Sequence, residues 1–156
     1  MKSKIKNLVR LVAITSFLFA ACSTPLVKTE PEVITDTSTV IITCNAETGN
    51  KGLLNFKEPV YVHVGLITDS SISPTHWRYV KFKWGSTDET ALAKPAGKNE
   101  WTYEIPNIRK FFAVAENEKI QKLAILFRQG NCIDTLCKTL RNEDKSDILI
   151  PVKQSQ

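Results

Sequence analysis

Histidine is scarce in this 156-residue chain, which holds only His63 and His76. Two imidazoles leave few positions for a triad base or a general acid. The short catalytic motifs are missing as well: there is no GxSxG, no Walker loop, no HExxH and no GxGxxG. Asp and Glu are scattered, with no pair that the pattern sets about a scissile bond. The cysteines and histidines also lack the paired spacing of a zinc site. No internal repeat is present. These absences argue against an enzyme, a resident metal and a bound cofactor.

Charge of one sign is missing too, once the first residues are set aside. Lys2, Lys4, Lys6 and Arg10 precede an apolar run from Leu11 to Phe19, which ends in Ala20, Ala21 and Cys22. That order reads as a secretory leader over residues 1–21, too short for a lasting transmembrane span. Ala-Ala-Cys resembles the lipobox of bacterial lipoproteins. The resemblance implies that Cys22 is acylated, becomes the mature N-terminus and anchors the protein to a membrane. Taking the four leader cations from 21 basic residues leaves 17 against 16 acidic ones, a balance that offers no footprint for nucleic acid. Residues 22–36 (CSTPLVKTEPEVITD) read as the lipidated Cys and a tether. Ser rather than Asp after Cys22 favours the outer membrane, by analogy with lipoprotein sorting in Gram-negative bacteria.

Cys132 and Cys137 lie close in sequence, in a chain that has left the reducing cytoplasm, and read as a local disulfide. Closing so short a loop is worth at most about 2–3 kcal/mol. Cys44 falls in step with Val40 and Ile42 and reads as a small core residue.

From residue 37 to 153 the pattern is that of short strands. Thr37–Cys44 is β-branched. Val60–Ile67 alternates, with Val60, Val62, Val64 and Leu66 on one face. Arg78–Trp84 alternates in turn, with Val80, Phe82 and Trp84 inward. Glu89–Lys94 suggests an edge strand and residues 94–99 a turn. Trp101–Ile105, Lys119–Arg128 and Ser146–Val152 complete the set. Ile108–Val114 behind the N-cap candidate Asn107 is the one helical segment. About seven short strands with one short helix read as an antiparallel β-sandwich of immunoglobulin-like type.

On this reading the face of the central pair turned away from the core carries Tyr61, His63, Trp77, Tyr79 and Lys81. Aromatic rings stack on the apolar faces of pyranoses, and burying one ring face contributes about 1–2 kcal/mol. Trp84 and Trp101 share parity with inward residues and read as core.

VYVHVGLITDSS, HWRYVKFKWG, IPNIRKFF and EKIQKLAILFR, in that order, resemble immunoglobulin-like modules attached to secreted bacterial α-amylase-type proteins. They are also similar to lipoproteins of starch-utilisation systems. The resemblance spans roughly residues 40–152 and implies an immunoglobulin-like sandwich that handles α-glucans. The matching positions are Tyr61, His63, Trp77, Trp84, Arg109 and Arg128. The loop QGNCIDTLCKTLRNEDKSD departs from the pattern in its length and two cysteines. The partners implied are an α-glucan, the membrane through the lipid, and other envelope lipoproteins or a separate amylase. A rival expectation is that the same face docks onto another envelope protein or a transporter.

Overall fold

The computed structural model describes residues 24–133 and 136–155. The leader and the acylation site Cys22 lie outside these residues. Among the described residues, eight strands form two antiparallel sheets that face each other across one apolar core. The first sheet runs β1 (Val27–Glu30), β2 (Val40–Asn45), β5 (Glu100–Ile105), β4 (Lys94–Gly97). The second has β3 (Val60–Thr68) against β6 (Ile120–Gln129), with β7 (Thr139–Leu140) and β8 (Ile148–Pro151) following one another along the far side of β6.

The inward residues are those the alternation selects. Val40, Ile42 and Cys44 of β2 meet Trp101, Tyr103 and Ile105 of β5 on one side of the core. Val60, Val62, Val64 and Leu66 of β3 meet Leu123, Ile125 and Phe127 of β6 on the other. Lys119–Arg128 also has apolar residues at helical spacing, yet it forms a strand because β3 supplies a full ladder of partners. The short helix α1 (Ile108–Phe112) begins at Asn107, whose side-chain oxygen accepts from the Lys110 N–H at 3.1 Å.

Four expectations fail. The described part of the expected tether, residues 24–36, is not a spacer outside the domain, because Val27–Glu30 pairs with β2 in register Val27↔Cys44. Ile34 joins the core, and Asp36 is buried against Arg109 of α1. Residues 94–99 are not a simple turn, since Lys94–Gly97 forms β4 on β5, and Glu89–Ala91 is a 3-10 turn rather than strand. Arg78–Trp84 is not a regular strand. Arg78 exchanges both backbone hydrogen bonds with Leu66, but the next one runs from the Lys81 N–H to the Val64 carbonyl. Two residues, Tyr79 and Val80, therefore oppose Gly65 alone, and Tyr79 takes φ 51°, in the left-handed region. This bulge breaks the alternation at Tyr79 and Val80. Val80, expected inward, is 44% exposed, while Phe82 still reaches the core.

Candidate functional site

The outer face of the second sheet is not an open shelf. Opposite Tyr61, His63 and Gly65 of β3 stand Arg128, Leu126 and Ala124 of β6, and all three of the latter are buried. The covering comes from the irregular segment after residue 76 and from the loop that separates β7 from β8. Alternation marks which side chains leave the main core. It does not reveal that another part of the chain roofs the opposite face.

Under this roof lies a row of rings. His63 stacks on Trp77 with centroids 5.5 Å apart and planes 23° from parallel. On its other flank Trp84 meets His63 edge to face at 5.0 Å and 86°. The Arg128 guanidinium lies 5.8 Å from the centroids of both Tyr61 and Trp84, within the range of a cation–ring attraction. The row thus runs Trp77, His63, Trp84, Arg128, Tyr61. Every aromatic member is half-buried and Arg128 is fully buried. Trp84 belongs here and not in the core where its parity first assigns it.

Glycines at both ends make room for these rings. A Cβ on Gly65 would stand 3.2 Å from Trp77 Cε3 and 3.3 Å from Val80 Cγ2, tighter than ordinary contact. A Cβ on Gly130 would stand 2.8 Å from Cε2 of Tyr61, closer than side chains approach.

Polar groups fix the row. The Trp77 indole N–H donates to Asp147 Oδ2 at 3.0 Å, and the other oxygen of Asp147 pairs with Arg141. Arg128 donates through Nη2 to the Ser86 carbonyl at 2.6 Å and through Nη1 to the Gln129 carbonyl at 2.9 Å. Its charge thus rests on carbonyl dipoles and ring faces. Burial pushes His63 down to a pKa of about 4, and the nearby Arg128 cation works in the same direction. His63 is therefore neutral at physiological pH, and its buried Nδ1 has no hydrogen-bond partner. A ring in that state packs and stacks.

Tyr61, His63 and Trp77 come together as the alternation implies, but Tyr79 and Lys81 do not join them. The bulge sends the Tyr79 hydroxyl to Glu118, which also takes Arg78 Nε at 3.0 Å. Lys81 Nζ donates to the Phe111 carbonyl at 2.7 Å and lies 4.8 Å above the Phe111 ring. Both residues serve the seam between this segment, α1 and the Glu118 loop. Arg109 is likewise structural: it donates to Asp36 Oδ2 through Nη2 at 2.6 Å and Nε at 3.0 Å, and through Nη1 to the Ala115 carbonyl at 2.7 Å. Sequence reasoning missed Asp147 and Arg141 as members of the aromatic site, and named Arg128 only through the family resemblance, which left its role open. The register of Arg128 against Tyr61 is what puts it in the row.

Cys132 and Cys137 are joined by a disulfide, and Cys44 is a buried free thiol. Among the described residues no group of three or more His, Cys, Asp or Glu side chains gathers as metal ligands would, and no helix is long and apolar enough to cross a membrane. No family model matches the chain, and no curated protein matches it either.

Proposed function

We propose that this chain is a non-catalytic, lipid-anchored domain of the bacterial cell envelope, an immunoglobulin-like sandwich whose outer aromatic row contacts an α-glucan. The strand order supports the immunoglobulin-like part. β1-β2-β5-β4 faces β3-β6-β8, with α1 between β5 and β6. This is the order A-B-E-D over C-F-G of the constant-type domain. The lipobox pattern ending at Cys22 supports the anchor and an outer-membrane location.

The observation that carries the glycan reading is the near-parallel stack of Trp77 on His63, with Tyr61 further along the same strand. Rings already held in place lose little freedom when a sugar arrives. The indole N–H of Trp77 is committed to Asp147. Stacking on pyranose C–H faces, rather than hydrogen bonding, would therefore carry the contact, and such contact is weak per sugar at about 1–2 kcal/mol. Repetition along a polymer suits this strength better than one tight oligosaccharide site. The enzyme acting on the glucan would be a separate protein.

The roofed outer face favours one rival, docking onto another envelope protein, because half-buried ring edges fit a shaped partner as well as a flat sugar. Native electrophoresis through amylopectin separates the two. The glycan reading expects the wild-type chain to be retarded relative to a gel without polysaccharide. It expects Trp77→Phe, which keeps the fold, to be retarded less. An unretarded wild type overturns the glycan reading.

A further inference from the structure

We infer that the cleft between the start of β3 and β4 is a second sugar-binding site, which takes up the α-glucan chain where it leaves the aromatic row. The inference takes its ligand class from the reading above and adds where on the domain the polymer continues.

The cleft follows from a change of sheet. After the 3-10 turn the chain first runs beside β3, where the Ala93 N–H donates to the Val60 carbonyl at 2.9 Å and Leu92 bridges Tyr61. It then crosses to pair with β5 as β4. A cleft of about 420 Å³ lies at this crossing, lined by the approach to β3 and by β4. That volume is within the range of small-ligand sites. Trp101, which pairs with Pro95 across β4 and β5, gives the cleft one ring surface, and Phe56 and Pro95 give it two more. Asn99 fixes these parts to one another. It sits in the β4–β5 turn at φ 61°, accepts from the Asn55 N–H at Oδ1 at 2.8 Å and donates from Nδ2 to Glu47 at 3.1 Å. The turn that bears Phe56 is thereby tied to the hairpin that bears Trp101, so a ligand meets surfaces already in place.

The composition of the cleft selects a neutral polyol. The rings of Trp101 and Phe56 offer apolar faces for pyranose C–H groups. Lys57, Lys98 and Glu58 line the same cleft and are exposed. Two ammonium donors beside one carboxylate acceptor match a ligand that both donates and accepts hydrogen bonds, as sugar hydroxyls do. An amphiphilic carboxylate would call for cations alone, and Glu58 repels it. Position points to the same polymer. Side chains paired across an antiparallel bridge share a face, so Leu92, itself 41% exposed, stands beside Tyr61 at the end of the row. Leu92 also lines the cleft. A chain lying on Tyr61 therefore crosses Leu92 to reach Phe56 and Trp101. Two weak contacts on one polymer reinforce each other, which single sugars cannot exploit.

The three tryptophans report the two sites separately, Trp77 and Trp84 in the row and Trp101 in the cleft. The full-length Cys22→Ser chain, to which no acyl group is attached, is labelled with 5-fluorotryptophan. Its fluorine resonances are assigned with Trp77→Phe and Trp84→Phe. Maltohexaose should shift the Trp101 resonance progressively. Phe56→Leu, which keeps an apolar side chain against the core, should weaken the titration read at Trp101 about tenfold through loss of one ring face. A Trp101 resonance that stays still with maltohexaose, or that moves only with decanoate, overturns the inference. So does an unchanged titration in Phe56→Leu. Movement of Trp77 and Trp84 alone removes the cleft and keeps the row as the glycan contact. Movement of Trp101 alone keeps the cleft and removes the row.

Discussion

The imidazole of His63 lies against the indole of Trp77 at 5.5 Å and 23°, with Trp84 closing its other side. A histidine held between two tryptophans has little water around it, and a buried guanidinium stands near. Its proton is therefore disfavoured on two counts.

The pH dependence of stability follows from that. Burial, aided by Arg128, brings the folded pKa of His63 to about 4, below the 6.5 of a free side chain. The unfolded chain takes up a proton between these values while the folded chain does not, so stability falls as pH drops from about 6.5 towards 4. The ring is only partly buried and keeps some hydration, so the loss is on the order of 1–2 kcal/mol. Urea midpoints at pH 7 and pH 4.5 should differ more for the wild type than for His63→Gln. Equal differences would remove His63 as the source.

Trp77 should contribute to stability whatever it binds. Trp77→Ala removes the stack on His63 and leaves Asp147 Oδ2 without its indole donor. The expected loss is about 2 kcal/mol, less than for a fully buried tryptophan. Trp77→Phe keeps the ring contact, loses only the hydrogen bond and should cost about 1 kcal/mol. Thermal denaturation of both variants checks the order; equal losses would contradict it.

Asp36 and Arg109 join the chain before β2 to the helix between the sheets. The Asp36 carboxylate accepts two Arg109 donors at Oδ2 and the Ser155 N–H at Oδ1, at 2.7 Å. Burial alone would raise its pKa, but Arg109 and Ser155 outweigh this and hold it below the usual 3.8. Its stabilisation is thus complete above about pH 4 and fades as pH falls through the folded value, a window below that of His63. Asp36→Ala leaves a guanidinium largely buried without its partner and should cost about 3 kcal/mol. Swapping in Asp36→Asn should cost less, because the hydrogen bonds persist. Chemical denaturation at pH 7 ranks the two.

Cys44 should be chemically silent in the folded protein. Burial raises its thiol pKa to about 12, and no solvent reaches the side chain. Ellman's reagent added to the Cys22→Ser chain with its disulfide intact should find no thiol natively and one per chain in guanidinium. Rapid native labelling would contradict the burial.

Much of this architecture is legible in the residues. β2, β3, β5, β6 and β8 follow from alternation, and α1 follows from Asn107 and the apolar spacing behind it. β1 and β4 are not legible. Val27–Glu30 and Lys94–Gly97 carry weak strand signals, and each becomes a strand because β2 or β5 offers an unpaired edge in register. The bulge at Tyr79 is equally hidden, since no glycine marks its left-handed residue.

Period-two patterning by itself determined the all-β class, the two inward faces and the membership of Tyr61 and His63 in one outward row, because a strand's side chains must alternate. Only the tertiary structure decided that this row is roofed, that Trp84 joins it while Tyr79 and Lys81 leave it, and that Arg128 lies buried beneath it. One extra residue opposite Gly65 breaks the alternation of the segment that covers the sheet. Where that segment settles depends on contacts with β6 and the β7–β8 loop, which no local pattern encodes.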